Sequence, residues 1–383
     1  MNLIRSILLC TIMMVATNLN PFAQSTNITK DWLTLDASRI SDLPSMGIAG
    51  QSAAIHQNKL YVLGGSNFPA GMPWDGGQKK YFNLVWTYQL GNEVKSISQP
   101  TVMNYVQPIA YATSVLNNHQ WIIVGGETPN GKIPDVNAMD LSNDAHLHWE
   151  AFPALPIPLS NAHGFVTDEK LHIVGGETGS ITSATHFVLD LRNLSKGWTT
   201  LPDLPYPVSH AVLIKDQKEN RLLLIGGRTK VKDQPSIFYG SALSFDPVAN
   251  QWQEAAPIPY PLAAGTGIVL KDGSMFIFGG DKGTVFQEVE HCILEASRST
   301  DPVAIASWNE KRKMLQSGHP GFSREILQWN EKKRKWEPAG KLPFPTPVTT
   351  QSVCDEQYLI LPAGEVRAGV RTPNFYIKKI KSA

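Results

Sequence analysis

Six times along the chain a short apolar run ends in a doublet of small residues: LYVLGG at Gly64-Gly65, WIIVGG at Gly125-Gly126, LHIVGG at Gly175-Gly176, LLLIGG at Gly226-Gly227, MFIFGG at Gly279-Gly280 and LILPAG at Ala363-Gly364. Successive doublets stand 61, 50, 51, 53 and 84 residues apart. In most units a second strand-like stretch follows and ends in Asp140, Asp190, Asp246 or Asn330. A tryptophan comes six to nine residues later, at Trp149, Trp198, Trp252 or Trp336. A Pro-rich turn closes each of these units (FPALPIP, LPDLPYP, APIPYP, KLPFPTP), and small residues lead into the next run. Apolar runs this short, punctuated by Gly and Pro, are strands.

The pattern predicts four strands per unit of about 50 residues, the period of a kelch-type blade. Six doublets predict an all-β, six-bladed β-propeller. The glycines are expected where a strand ends beside the crowded axis and a Cβ would clash or forbid the backbone angles, and the tryptophans are expected to fill the wedges between blades. NFYIKKI near the C-terminus is the third strand of the sixth unit, and WLTL at Trp32 supplies its missing fourth strand. The ring is thereby closed, which removes open sheet edges. The segment at 94–108, VKSISQPTVMNYVQP, carries no tryptophan, so the first unit is the least regular.

Composition agrees with this reading and narrows the class. Among 383 residues, 42% are hydrophobic and 17% charged, with 30 Gly and 27 Pro. That is too apolar and too neutral for a disordered chain. A net charge of +1 gives no electrostatic reason to expect nucleic acid or an anionic membrane surface. Residues 1–25 read as a secretory signal, with Arg5 before an apolar run at 7–16 too short to span a bilayer and cleavage near Ala23. The expectation is a 1–24 signal followed by one propeller domain from residue 25 to 383, exported, soluble and periplasmic, with no membrane attachment after cleavage and a homodimer left open. Two cysteines remain, Cys292 and Cys354, too few for a four-cysteine zinc site; whether they pair is open. No histidine or carboxylate spacing suggests a metal, and no cofactor is expected.

In a propeller the residue after each doublet points to one common mouth. Here those residues are Ser66, Glu127, Glu177, Arg228, Asp281 and Glu365, a polar set suited to a hydroxylated ligand. Two loops on that face are enlarged. The one at 66–80 holds Asn67, Trp74 as a stacking plate for a sugar, and Lys79 and Lys80 to attract an anion. The other, at about 285–324, accounts for the 84-residue gap; its charged and apolar residues suggest helical turns and the role of a lid. His163 and His210 begin innermost strands, where they could line the channel. GEVRAGVRT at 364–372 gathers Glu365, Arg367 and Arg371. A carboxylate there can take and return a proton, and a guanidinium can hold a carboxylate or damp a developing charge.

GEVRAGVRT, followed in the ring by GGSNFP, resembles the bacterial N-acetylneuraminate epimerase family, the periplasmic sialic acid mutarotases. IIVGGET at 122–128 and FSREILQWNEKKRKW at 322–336 are also similar to segments of that family. The likeness covers essentially the whole mature chain, with the blades in circularly permuted order. It implies a catalytic Glu at Glu365 and a functional Arg at Arg371. It also implies N-acetylneuraminate as the partner, its anomers exchanged by acid/base-assisted ring opening. Asn67, Trp74, Glu127, Glu177, Arg228 and Arg367 are then the candidate sugar-binding residues. The alternative is an exported kelch propeller that binds a carbohydrate or protein without catalysis. No sialidase-type Asp box is present in the sequence.

Overall fold

The strands that precede the doublets, Lys59–Leu63, Gln120–Val124, Lys170–Val174, Arg221–Ile225 and Met275–Phe278, are buried along almost their whole length. Both faces are covered because each sheet is packed between two others. The computed structural model describes residues 28–91, 97–216 and 218–380, and the expected signal segment lies outside them. Among the described residues there are six four-stranded sheets, each an antiparallel meander. The sixth is completed across the chain ends. Trp32–Asp36 pairs with Val370–Lys379, with Trp32 opposite Lys378 and Leu35 opposite Phe375, which is the closure WLTL predicts.

Six apolar clusters lie between the blades, one at each interface. The outer-strand tryptophans do what their spacing predicts. Trp198 donates to the carbonyl of Pro153 at 2.7 Å, Trp252 reaches His186 Nδ1 at 3.2 Å, and Trp336 is buried against the fourth blade. Trp32 performs the same task from the N-terminal strand, edge-on to Phe278 and Phe344 of the fifth blade. The first blade has no such tryptophan; there Tyr105 meets Trp149 edge-on, with ring centres 4.8 Å apart. Burying an aromatic or aliphatic side chain of this size stabilises a fold by ~1.5–3 kcal/mol, so each wedge contributes independently to closure.

A collar surrounds the axis. Just before the innermost strand of each blade one residue has a left-handed backbone: Gly50 (φ 73), Tyr111 (57), Asn161 (52), His210 (56), Ala264 (56) and Thr349 (49). The amide of Gly50 donates to Thr349, Tyr111 to Gly50, Asn161 to Tyr111, His210 to Asn161 and Ala264 to His210, so that successive blades are stitched together. The residue preceding each collar position bridges to the residue after the doublet: Ala49 to Ser66, Ala110 to Glu127, Ser160 to Glu177, Ser209 to Arg228, Ala263 to Asp281 and Val348 to Glu365. This repeated bridge aims the predicted mouth residues at one end of the axis. The doublet makes it possible. At Gly175 (φ 62) a Cβ would lie 2.3 Å from the carbonyl oxygen of Val208 in the next blade.

On that face a small hairpin continues four of the blades, and in the sixth blade the main hairpin itself extends outward. The fifth carries two helices instead, α1 (Thr284–Arg298) and α2 (Pro302–Ser317). Pro302 at the first helical position and Asp301, which accepts from the Val303 amide, start α2. Glu290 of α1 accepts from the Ser236 amide and hydroxyl of the fourth blade at 2.7 and 2.9 Å. Lys313 of α2 pairs with Asp75 of the first blade at 2.8 Å. The insertion thus reaches to both sides of the mouth. Cys292 in α1 and Cys354 in the sixth blade are both free thiols. No helix among the described residues is long and apolar enough to cross a membrane.

Candidate active site

Above the collar lies a cavity of about 390 Å³, within the ~300–1,000 Å³ of small-molecule sites. Tyr111, Asn161, His210, Ala264 and Thr349 form its floor; Glu127, Glu177, Arg228, Asp281 and Glu365 line its wall. Val285, Phe286 and Val289 of α1 close one side, with Gln316, His319 and Phe322 beyond them.

Glu365 and Arg371 face each other across the hairpin of the sixth blade. Their six-residue separation is that of opposed partners in a tight hairpin, so both side chains share one face. Arg371 Nη2 is 3.2 Å from Glu365 Oε2, Nη1 donates to the carbonyl of Gly369 at 2.9 Å, and the Gly369 amide donates to Glu365 Oε1 at 2.9 Å. Phe68 covers the guanidinium at 4.4 Å. The Arg371 side chain is 3% exposed and that of Glu365 18%. The carboxylate therefore keeps an edge toward the cavity, whereas the arginine is nearly enclosed and its Nε has no hydrogen-bond partner.

The other acids are engaged differently. Glu177 is ringed by Lys230 at 2.8 Å, Lys132 at 3.4 Å, Arg228 at 3.4 Å and His210 at 3.6 Å. Burial alone would push its carboxyl up, but His210, which carries a charge only in acid, together with Arg228 and Lys230 outweighs it and holds the group well below the usual carboxylate range. Glu127 accepts from Lys79 at 2.8 Å and from the Tyr81 hydroxyl, which together overcome burial and lower it too. Asp281 is pushed up by burial, with the Gly283 amide at 2.8 Å opposing in part. Arg228 stacks on Phe286 at 4.3 Å. His163 and His210 line the axial space, and burial lowers them to about 4 and about 3, so both are neutral at ordinary pH. Among the described residues no three His, Cys, Asp or Glu side chains gather as metal ligands would.

Of the residues that the sequence singles out, Glu365, Arg371, Glu127, Glu177 and Arg228 share this cavity. Asn67, Trp74 and Arg367 do not. Asn67 is 1% exposed and its amide is spent on the Gly47 carbonyl at 3.0 Å. Trp74 packs over the turn at Gly369, where an added Cβ would meet its ring at 3.0 Å. Arg367 sits at the exposed tip of the hairpin, opposite Val370. Sequence reasoning passed over Tyr111, Phe68 and the aromatic residues of the insertion. Aligning the six units on their doublets would have flagged Tyr111, the one aromatic phenol at a collar position otherwise held by Gly, Asn, His, Ala and Thr.

A family model described as N-acetylneuraminate epimerase matches residues 152–383. The N-acetylneuraminate epimerase of Salmonella typhi is 27% identical over 230 residues, 58% of this chain and 57% of that one. The protein of the same name from Brucella melitensis is 24% identical over 256 residues, 64% of this chain and 63% of that one. The chain thus spans somewhat less than two thirds of the length of the curated relatives it matches. The solved structure of YjhT superposes with a TM-score of 0.60 at 16% identity, covering 88% of this chain and 95% of that one, a likeness of fold. The matched segment is more than half of the sequence and contains both the helical insertion and the Glu365–Arg371 hairpin, and on this ground the chain belongs to the N-acetylneuraminate epimerase family.

Proposed function

We propose that the protein is a sialic acid mutarotase that interconverts the α and β anomers of N-acetylneuraminate. The observation that carries this reading is the state of Glu365. It is the mouth carboxylate held by one backbone amide and one guanidinium, with an edge left facing a charged cavity of sugar size. Glu127 and Glu177 are consumed by neighbouring cations.

Anomer exchange requires the ring to open at C2 and to reclose on the other face. Glu365 removes the proton from the anomeric hydroxyl as the bond from C2 to the ring oxygen breaks, and returns it on closure. The sequence suggests Arg371 as a clamp for the sugar's carboxylate. Its Nη1 is committed to Gly369 and its Nη2 to Glu365, so its part is to fix Glu365 and damp charge beside C2. The sugar carboxylate falls to Lys79, whose Nζ spends one N–H on Glu127 at 2.8 Å, keeps two more, and stands 4.8 Å from the centre of the Tyr111 ring within the same cavity. Three cations (Lys79, Arg228, Arg371) and four acids (Glu127, Glu177, Asp281, Glu365) line the cavity, and Lys132 and Lys230 add their charge at Glu177 from outside the lining, so that Glu127 and Glu177 are neutralised by neighbours and do not oppose an anionic ligand.

The test is anomer exchange of N-acetylneuraminate followed by NMR with purified protein. Wild type accelerates exchange, and Glu365→Gln lowers the rate by roughly 10²–10⁴-fold, the usual effect of losing a general base. Equal rates for the two proteins would remove Glu365 from the mechanism. We place the protein in the periplasm on the strength of Arg5 and the apolar run at 7–16; fractionation of the source cells checks this.

A further inference from the structure

Ring opening needs two proton movements, and Glu365 supplies one. The ring oxygen must gain a proton as Glu365 takes one from the anomeric hydroxyl.

Tyr111 is part of the cavity floor and, like the other collar residues there, also lines the axial space beneath. Its φ of 57° is unusual for a bulky side chain and marks a conformation the surroundings impose. The collar does not require a phenol, since its other positions hold Gly50, Asn161, His210, Ala264 and Thr349. The ring packs against Gly50, where an added Cβ would lie 2.5 Å from its Cδ1. Its hydroxyl is 3.3 Å from Ser66 Oγ and 3.5 Å from Arg371 Nη2. The same Nη2 contacts Glu365 Oε2 at 3.2 Å. A carboxylate and a phenol therefore flank one nitrogen at the edge of the same cavity. Asp281, a wall carboxyl that burial favours in its protonated form, instead accepts from the Gly283 amide and sits by His319.

We propose that Tyr111 is the second catalytic residue, donating its phenolic proton to the ring oxygen. This rests on the mutarotase reading above. In opening, the anomeric O–H proton passes to Glu365, its electron pair forms the C2 carbonyl, the pair of the C2–O bond moves to the ring oxygen, and that oxygen takes the Tyr111 proton. The products are the open-chain keto acid, a neutral Glu365 and a Tyr111 phenolate beside Arg371 and Lys79. After rotation of the C2 carbonyl, the hydroxyl returns its proton to the phenolate and attacks the opposite face, and the carbonyl oxygen recovers the proton from Glu365. Nothing is consumed.

The test compares wild type with Tyr111→Phe in NMR anomer exchange across pH, after subtraction of the uncatalysed rate. The expected result is a kcat lower by roughly 10²–10⁴-fold with KM unchanged, and loss of the alkaline limb that wild type shows when its acid ionises. A rate equal to wild type overturns the proposal. A slow variant that keeps the alkaline limb also overturns it, because the hydroxyl would then only position Arg371. Should Tyr111→Phe fail to fold, fluorotyrosine at position 111 keeps the shape and must move the limb to lower pH; an unmoved limb overturns the proposal. If wild type itself does not accelerate exchange, the mutarotase reading fails, and that result is distinct from an active enzyme indifferent to Tyr111.

Discussion

Arg371 and Glu365 are joined twice, once directly through Nη2 and Oε2 at 3.2 Å and once through Gly369, whose carbonyl accepts from Arg371 and whose amide donates to Glu365, both at 2.9 Å. The turn of the hairpin is thereby locked to the two side chains it presents.

This circuit predicts that Arg371→Lys does not restore what Arg371→Ala loses. An ammonium on a flexible stem cannot serve Gly369, Glu365 and Tyr111 from one plane. Both variants should lower kcat for anomer exchange, each by at least about ten-fold for lost charge stabilisation in an enclosed site. A lysine variant at wild-type rate would reduce Arg371 to a point charge.

Glu177 and Glu365 should separate stability from rate. Glu177→Gln leaves Lys132, Arg228 and Lys230 facing one another around a side chain that is 6% exposed. Removing one partner of a buried ionic cluster costs about 3–5 kcal/mol, so chemical denaturation should show a clear loss. Glu365→Gln leaves one buried cation, Arg371, against the three around Glu177, and its amide oxygen can still accept from Gly369 or Arg371, so it should lower the denaturation midpoint less than Glu177→Gln while abolishing most of the rate.

Much of the fold was legible because steric demands repeat. The Gly doublet and the outer-strand Trp answer the same problem in unit after unit, and Trp32 could be assigned to the sixth blade from what that blade lacked. The site was legible where it follows the repeat, as at Glu127, Glu177, Arg228 and Glu365, whose positions follow from the bridge after each doublet. It was illegible where loops decide. Trp74 has the composition of a sugar platform, but loop packing turned it onto Gly369. Phe286 enters through a helix whose approach to the mouth depends on Glu290 meeting Ser236, a contact between residues 54 positions apart with no local signature.

Acid should destabilise the protein well before its carboxylates are protonated. His172 and His186 are hydrogen-bonded to each other at 2.9 Å inside the wedge between the third and fourth blades, and burial lowers them to about 3 and about 4. A lowered histidine is neutral when folded and takes up a proton near pH 6.5 when unfolded. Its stabilising contribution is complete above pH 6.5 and is lost as pH falls toward 4. At ~1.4 kcal/mol per pH unit, His186 alone accounts for on the order of 3 kcal/mol over that window. Urea midpoints measured between pH 7 and pH 4.5 should fall steadily, and His172→Gln should flatten the slope. A midpoint independent of pH in that range would mean that the pair opens to solvent.

A ring whose ends meet can be cut elsewhere. Ile28 and Ile380 belong to one apolar cluster, and Trp32 pairs with Lys378, so a short Gly/Ser linker can join residue 380 to residue 28 without disturbing a blade. New termini between Pro156 and Ile157, in the turn between the second and third blades, would start the chain close to where the family match starts, at residue 152. If the relatives carry the same blades in a different order, this rearranged protein has their order, and a single uninterrupted match should extend over nearly its whole length. It should unfold cooperatively and exchange anomers at the rate of the parent, because the Glu365–Arg371 hairpin and every inter-blade wedge are retained. A cut between Ile122 and Ile123, inside a buried strand, should not fold. If the first permutant fails as badly as the second, order along the chain matters to this propeller beyond the geometry of its closed ring.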